Sequence, residues 1–332
     1  MRIMVVGAGA VGGFIAARLA LAGHEVSIIA RGAHLEAIRA HGLRIRRPEG
    51  AEITASVAAS DDPAASGPQD LVLTTLKAPA LPAMLPRIMA ALPAETPVMT
   101  AMNGVFWWYG FGHAFPGGLT PDCGRLDPSG ALGSAVHPDR ALGVVIQSTN
   151  EVIEPGVVMN RSAENRFAVG AATSAGKVRL LALLASLSDP PAISFEPSDD
   201  IRRVMWRKLL RNLTTAPLSV LTSAEAHGVI NDPDASGVSR ALFFEGAAVA
   251  AAHGFDGLAE EADQVFAPGA GARQKPSMRQ DLERGRPMEI DTILRIVQDF
   301  ARQSGVPTPV LDIVLPLVML RARVAGCYRA DT

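Results

Sequence analysis

The chain has 332 residues, a net charge of -2 and 48% hydrophobic residues, a length that predicts two domains rather than one compact core. Its 31 basic side chains stand against 33 acidic ones, so no cationic surplus exists to neutralise a phosphate backbone, and nucleic acid is excluded as an expected partner. Two cysteines, Cys123 and Cys327, give neither a disulfide framework nor metal-ligand spacing and suit a reducing, cytoplasmic setting with no metal.

The first elements are the clearest. RIMVV (2–6) is a short, apolar, β-branched run. GAGAVGG follows, then FIAARLALAG repeats apolar positions at helical spacing, and HEVSIIA (24–30) is a second strand. This order is a βαβ unit and predicts a parallel, doubly wound sheet. LVLTTLK (71–77) reads as a further strand, followed by a proline-punctuated helix to Leu92, and PVMTAMNG (97–104) as another strand ending in a turn. The Gly/Pro-rich stretch 110–133 has no period and reads as a long functional loop or a mobile one. Residues 143–160 alternate around Pro155-Gly156 as a hairpin or meander. The segment SLSDPPAISFEPSDD (186–200) is a boundary, and helical periodicity dominates after it. The expected fold is α/β: an N-terminal Rossmann-type parallel-sheet domain (1–195), then an all-helical C-terminal domain (196–332). The apolar runs 241–252 and 310–320 are broken by Glu245, Asp312 and Pro316, short of the roughly 18 uncharged residues a span needs, so no membrane partner is expected.

Gly7-Ala8-Gly9-Ala10-Val11-Gly12 matches G-x-G-x-x-G between a strand and a helix. Gly7 permits the tight turn, Gly9 lets the backbone approach a pyrophosphate, and Gly12 lets helix and strand pack closely. The helix N-terminus offers unpaired N–H groups to the phosphates. An NAD site usually has an acid at the end of the second strand, and this chain has Ile29-Ala30-Arg31-Gly32 there. A planar guanidinium suits a 2′-phosphate, so Arg31 points to NADPH/NADP+, the alternative being a surface arginine. Lys77 and Asn103 close apolar strands at the sheet's carboxyl edge, where ligands of open α/β sheets lie.

In the late helix 200–221, Arg203, Arg207 and Arg211 form one solvated column and Met205, Leu209 and Leu213 a buried flank. Lys208 and Asn212 sit between them, one turn apart, where they read either as a snorkelling lysine with a surface amide or as a pair meeting a carbonyl oxygen.

Together the glycine motif, Lys77, Asn103, the WRKxxxN helix and KPSMxQDxxxGRxxEID (275–291) resemble the ketopantoate reductase family, in this order and over most of the chain. The resemblance implies an NADPH-dependent oxidoreductase with a helical second domain and a cleft for cofactor and a small-molecule 2-keto acid. It implies that Lys208 is the general acid, that Glu289 lies in the active site beside substrate and cofactor, and that Ser277, Asn103 and Asn212 contact the substrate. It also allows a homodimer. Two departures mark this chain. Ala216 stands where relatives often have a second asparagine, and Phe106-Trp107-Trp108-Tyr109 follows Asn103-Gly104-Val105. The aromatic run reads either as a hydrophobic anchor for the loop or as a remodelled, more aromatic substrate pocket. The competing functions are a β-hydroxyacid dehydrogenase of the 6-phosphogluconate type and a non-catalytic NADPH-binding sensor.

Overall fold

The structure, a computed structural model, describes residues 1–187, 190 and 192–329. Ser188, Asp189 and Pro191 of the expected boundary segment lie outside the described residues. The chain forms two compact units: Met1–Met102 with Phe106–His113 and Asp127–Ile201, and Arg202–Thr332 with Asn103–Val105 and Ala114–Leu126.

In the first unit the strands are β1 (Arg2–Val6), β2 (Glu25–Ile29), β3 (Leu43–Arg46), β4 (Glu52–Ala55), β5 (Ala58–Ser60), β6 (Leu71–Thr74), β7 (Val98–Ala101), β8 (Ala141–Gln147), β9 (Asn150–Glu154), β10 (Val157–Asn160), β11 (Arg166–Ala171) and β12 (Ser194–Pro197). Its helices are α1 (Ala10–Leu21), α2 (Gly32–His41), α3 (Leu81–Ala90), α4 (Ala131–Ala135) and α5 (Ser174–Ser186). Eight strands make one sheet in the order β12-β11-β8-β7-β6-β1-β2-β5, parallel except where β11 meets β8. The remaining four form a second sheet, β4-β3-β10-β9, in which β9 and β10 are the antiparallel hairpin around Gly156.

The second sheet explains the composition of α1. Residues Gly12 through Leu19 are all buried, because the helix touches β1 and β2 on one side and β3, β4, β9 and β10 on the other. A helix covered on both sides has no polar face to show, so its apolar residues do not fall in a single stripe. Gly13 allows the approach of β10: a Cβ there would lie 3.0 Å from Val158.

The second unit is helical, with α6 (Ile201–Thr222), which starts at the last residue of the first unit, then α7 (Ala226–Asn231), α8 (Ala235–Ala252), α9 (Ala262–Val265), α10 (Ser277–Glu283), α11 (Ile296–Ser304) and α12 (Pro309–Val324). A π-helical turn, Asp291–Arg295, runs directly into α11. Met205, Trp206, Leu209, Leu210 and Leu213 are the buried flank of α6. Gly246 of α8 lies against that flank, since a Cβ there would come within 2.7 Å of Leu210 and Leu213. Glu245, which breaks the apolar run of α8, accepts hydrogen bonds from the Val310 and Leu311 amides at 2.7 and 2.9 Å. Its charge thus satisfies the open N–H groups and positive dipole end of α12. Among the described residues no helix is long and apolar enough to cross a membrane.

The 110–133 stretch is irregular apart from two short helical turns but is tied down. The Asp122 amide donates to Gln303 at 2.9 Å, and Arg125 pairs with Asp299 and Asp291. The pocket expectation for Trp107, Trp108 and Tyr109 gives way to the anchoring one. Phe106, Trp108 and Tyr109 are fully buried and Trp107 nearly so. Phe106 and Trp108 stack with centroids 4.8 Å apart and planes 6° from parallel. Both rings lie against Gly143 of β8, where a Cβ would come within 2.7 Å of them. Large rings fill this face because the strand below offers a glycine.

Candidate active site

The glycine motif occupies the carboxyl end of β1, flanked by the ends of β6 and β2. Gly7 has φ +102°, a conformation glycine adopts without strain. A Cβ on Gly12 would sit 2.0 Å from the Gly7 carbonyl oxygen and 2.4 Å from Thr75 Oγ1, so only glycine fits. Thr75 locks the turn from the neighbouring strand end by donating to that same Gly7 oxygen at 2.8 Å. At Gly9 the situation reverses: no atom lies within 4 Å of where a Cβ would be. A turn clamped on one side and open at Gly9 fits a dinucleotide pyrophosphate approaching the start of α1. Ala8 is buried, and Ala10 and Val11 begin the helix.

Arg31 is exposed, has extended backbone and precedes the first residue of α2, beyond β2. No acid stands at that strand end. Lys77 lies three residues past the end of β6, at the start of a 3-10 turn, rather than in the strand. Arg31, Lys77 and the glycine turn therefore all follow strands that run parallel and side by side.

The helical unit holds a second constellation. Lys208 Nζ donates to Asn103 Oδ1 at 2.8 Å, and Asn103 Nδ2 donates to Glu289 Oε2 at 3.2 Å. The amide's orientation follows from chemistry, since only its oxygen accepts from an ammonium and only its nitrogen donates to a carboxylate. Lys208 comes from the middle of α6, Asn103 from a turn two residues beyond β7, and Glu289 from the segment before the π-helical turn. Burial pushes the Lys208 ammonium down to about 8, and the nearby Glu289 charge partly opposes that fall. A lysine so placed is still largely protonated at neutral pH and releases its proton far more readily than a solvated one.

Asn212 is half-buried one turn farther along α6, and Ser277 is exposed at the first residue of α10. Both stand outside the hydrogen-bonded trio, and Ala216 is buried in the helix. Sequence reasoning missed Thr75, Gly104 and Thr292. The Asn103-Gly104 dipeptide was a turn signal, but its docking partner Thr292 carried no local mark.

The N-terminal family profile of ketopantoate reductase PanE/ApbA matches residues 3–110, and its C-terminal profile residues 200–322. The 2-dehydropantoate 2-reductase of Mesorhizobium japonicum is 38% identical over 329 residues, covering 99% of this chain and 100% of the relative. The chain belongs to the ketopantoate reductase family. It is an oxidoreductase of that family. A solved structure from Ralstonia solanacearum assigned to ketopantoate reductase superposes with a TM-score of 0.86 at 36% identity, covering 98% and 99% of the two chains. A D-mandelate dehydrogenase solved with NADH and anilino(oxo)acetate gives a TM-score of 0.82 at 22% identity, covering 99% and 100%, a likeness of fold. The Ralstonia solanacearum match thus extends the likeness of fold over 98% of the chain.

Proposed function

We propose that this ketopantoate reductase family member is an NADPH-dependent 2-keto acid reductase with 2-dehydropantoate as its substrate. The observation that carries the reading is Lys208, held through Asn103 to Glu289 at 2.8 and 3.2 Å. The name of the Mesorhizobium relative supports the choice of substrate. When bound, NADPH supplies a hydride to the ketone carbon. Lys208 then stabilises the charge growing on the ketone oxygen and gives it the Nζ proton. Glu289 holds and balances that lysine through Asn103. Asn212 and Ser277 bind the polar groups of the substrate. The glycine turn and the start of α1 hold the pyrophosphate, with Lys77 adding positive charge at the same sheet edge. The test is NADPH oxidation over a panel of 2-keto acids that includes 2-dehydropantoate and bulkier aromatic analogues. The highest kcat/KM is expected for 2-dehydropantoate. A steady NADPH absorbance across the panel would leave a binding protein without turnover.

Arg31 sets the choice of cofactor in this reading. Arg31→Ala is expected to cut the NADPH preference over NADH by about ten- to a hundredfold, the worth of one charge-assisted pair at roughly 1.5–3 kcal/mol. Titration of both cofactors into the wild type and the variant checks it. An unaltered ratio would place the 2′-phosphate elsewhere.

The protein is also proposed to pair with a second copy through α12. Ile313, Leu317, Leu320 and Val324 recur at helical spacing and are 50–77% exposed. Leu317→Glu with Leu320→Glu should convert a dimer to a monomer in sedimentation, whereas a monomeric wild type would remove the proposal.

A further inference from the structure

The Asn103 amide can bridge Lys208 and Glu289 only if its backbone is held in register with both. The main chain next to it shows how. Gly104 has φ +83°, and the Val105 amide donates to the Thr292 carbonyl oxygen at 2.9 Å. Thr292 is the second residue of the π-helical turn Asp291–Arg295. Its carbonyl therefore takes a donor from outside the helix. A π turn inserts a residue and disturbs the regular ladder, which makes a carbonyl available to a foreign amide, and such turns often mark functional sites. Gly104 packs directly on this carbonyl: a Cβ would lie 2.1 Å from the Thr292 oxygen and 2.5 Å from its carbonyl carbon. The Thr292 hydroxyl turns the other way and donates to the Glu289 carbonyl oxygen at 3.3 Å. Thr292 thus touches the segments bearing two members of the trio.

We infer that Gly104 and Thr292 form a positioning latch that seats the Asn103 amide between Lys208 and Glu289. The inference rests on the reading of Lys208 as the proton donor. Neither latch residue touches the substrate. Both act through Asn103, and Gly104 is required twice, for its positive φ and for its missing Cβ.

This dependence makes the latch testable by a double-mutant cycle. Gly104→Ala, Asn103→Ala and the double variant are compared in thermal melting, NADPH affinity and kcat for 2-dehydropantoate. Gly104→Ala is expected to remain folded and bind NADPH while losing roughly 10²-fold in kcat, as small misplacements of catalytic groups do. Asn103→Ala should lose a similar factor, and the double variant no more than either. Losses that multiply, or a wild-type kcat in Gly104→Ala, overturn the latch. Should Gly104→Ala fail to fold, Thr292→Val runs the same cycle, since it keeps the volume and removes the hydroxyl bond to Glu289. Its smaller loss should likewise vanish in the Asn103→Ala background, and persistence there counts against the latch.

A second readout does not need turnover. The Lys208 Nζ resonance is titrated by NMR in the same proteins. Its midpoint should rise in Gly104→Ala and Asn103→Ala by the same amount, because water reaches the ammonium and relieves the burial that holds it down. If the wild type reduces no 2-keto acid, the proposed function fails while this titration still decides the latch. A Lys208 midpoint unmoved by Gly104→Ala sinks it.

Discussion

Lys208→Ala is expected to lower kcat for 2-keto acid reduction by about 10² to 10⁴, the usual worth of a general acid, with NADPH affinity unchanged. The lysine sits in the helical unit, whereas the glycine turn, Arg31 and Lys77 belong to the other unit, so a loss confined to kcat is the signature sought. The pH dependence gives an independent check. Burial lowers the Lys208 ammonium to about 8, so the acid form predominates below that pH. In the reductive direction kcat/KM should be level at neutral pH and fall about tenfold per unit above pH 8. In the oxidative direction the neutral amine must accept a proton, so the rate should rise through the same pH. Lys208→Arg retains the positive charge but cannot give up its proton in this range, so charge stabilisation without proton transfer would leave a low rate and no alkaline limb. A Lys208→Ala variant with near-wild-type kcat and an unchanged pH profile would remove the lysine from the mechanism.

Much of this site was legible because its signals are local. The glycine motif needs only a strand before it and a helix after it, and residues 2–30 show that order directly. Most of the α6 pattern also survives in the structure, with Met205, Leu209 and Leu213 buried, Arg207 and Arg211 exposed, and Lys208 half-buried between them, whereas Arg203 of the expected solvated column is half-buried and donates to the Asp256 carbonyl oxygen at 2.8 Å. What was not legible is tertiary. Nothing in Asn103-Gly104-Val105 says that these residues group with the helical unit while the residues on either side group with the sheet unit. The π-helical turn is also invisible, because five residues are too few to separate its period from that of an α-helix. The second sheet escaped in part for a similar reason. β3 and β4 are four residues each, too short for alternation to stand out, although the β9–β10 hairpin was signalled by Pro155-Gly156. The aromatic run shows a different limit. Tryptophan suits a substrate pocket and a protein core equally, and only the glycine at position 143 of another strand decides between them.

That decision has a large expected consequence. Trp108→Ala should destabilise the sheet unit by about 3–5 kcal/mol, as removal of a fully buried large aromatic does. For a unit of this size the corresponding fall in Tm is roughly 6–20 °C. The indole is fully buried and stacked on Phe106, and the two rings together cover Gly143 in the middle of β8. Its loss leaves a cavity that cannot collapse readily, because Phe106 rests on the same glycine and β8 is paired on both sides by β7 and β11. Trp108→Phe keeps an aromatic ring in the stack and should lose only part of this stability. Since the rings are packing, the ranking of 2-keto acids by kcat/KM should be the same in the wild type, Trp108→Phe and Trp108→Ala when assayed below the lowered Tm. A changed ranking in Trp108→Phe at nearly wild-type Tm would return these rings to the substrate pocket. A large loss of Tm with an unchanged ranking fixes them as an anchor within the sheet unit, packed on Gly143 of β8.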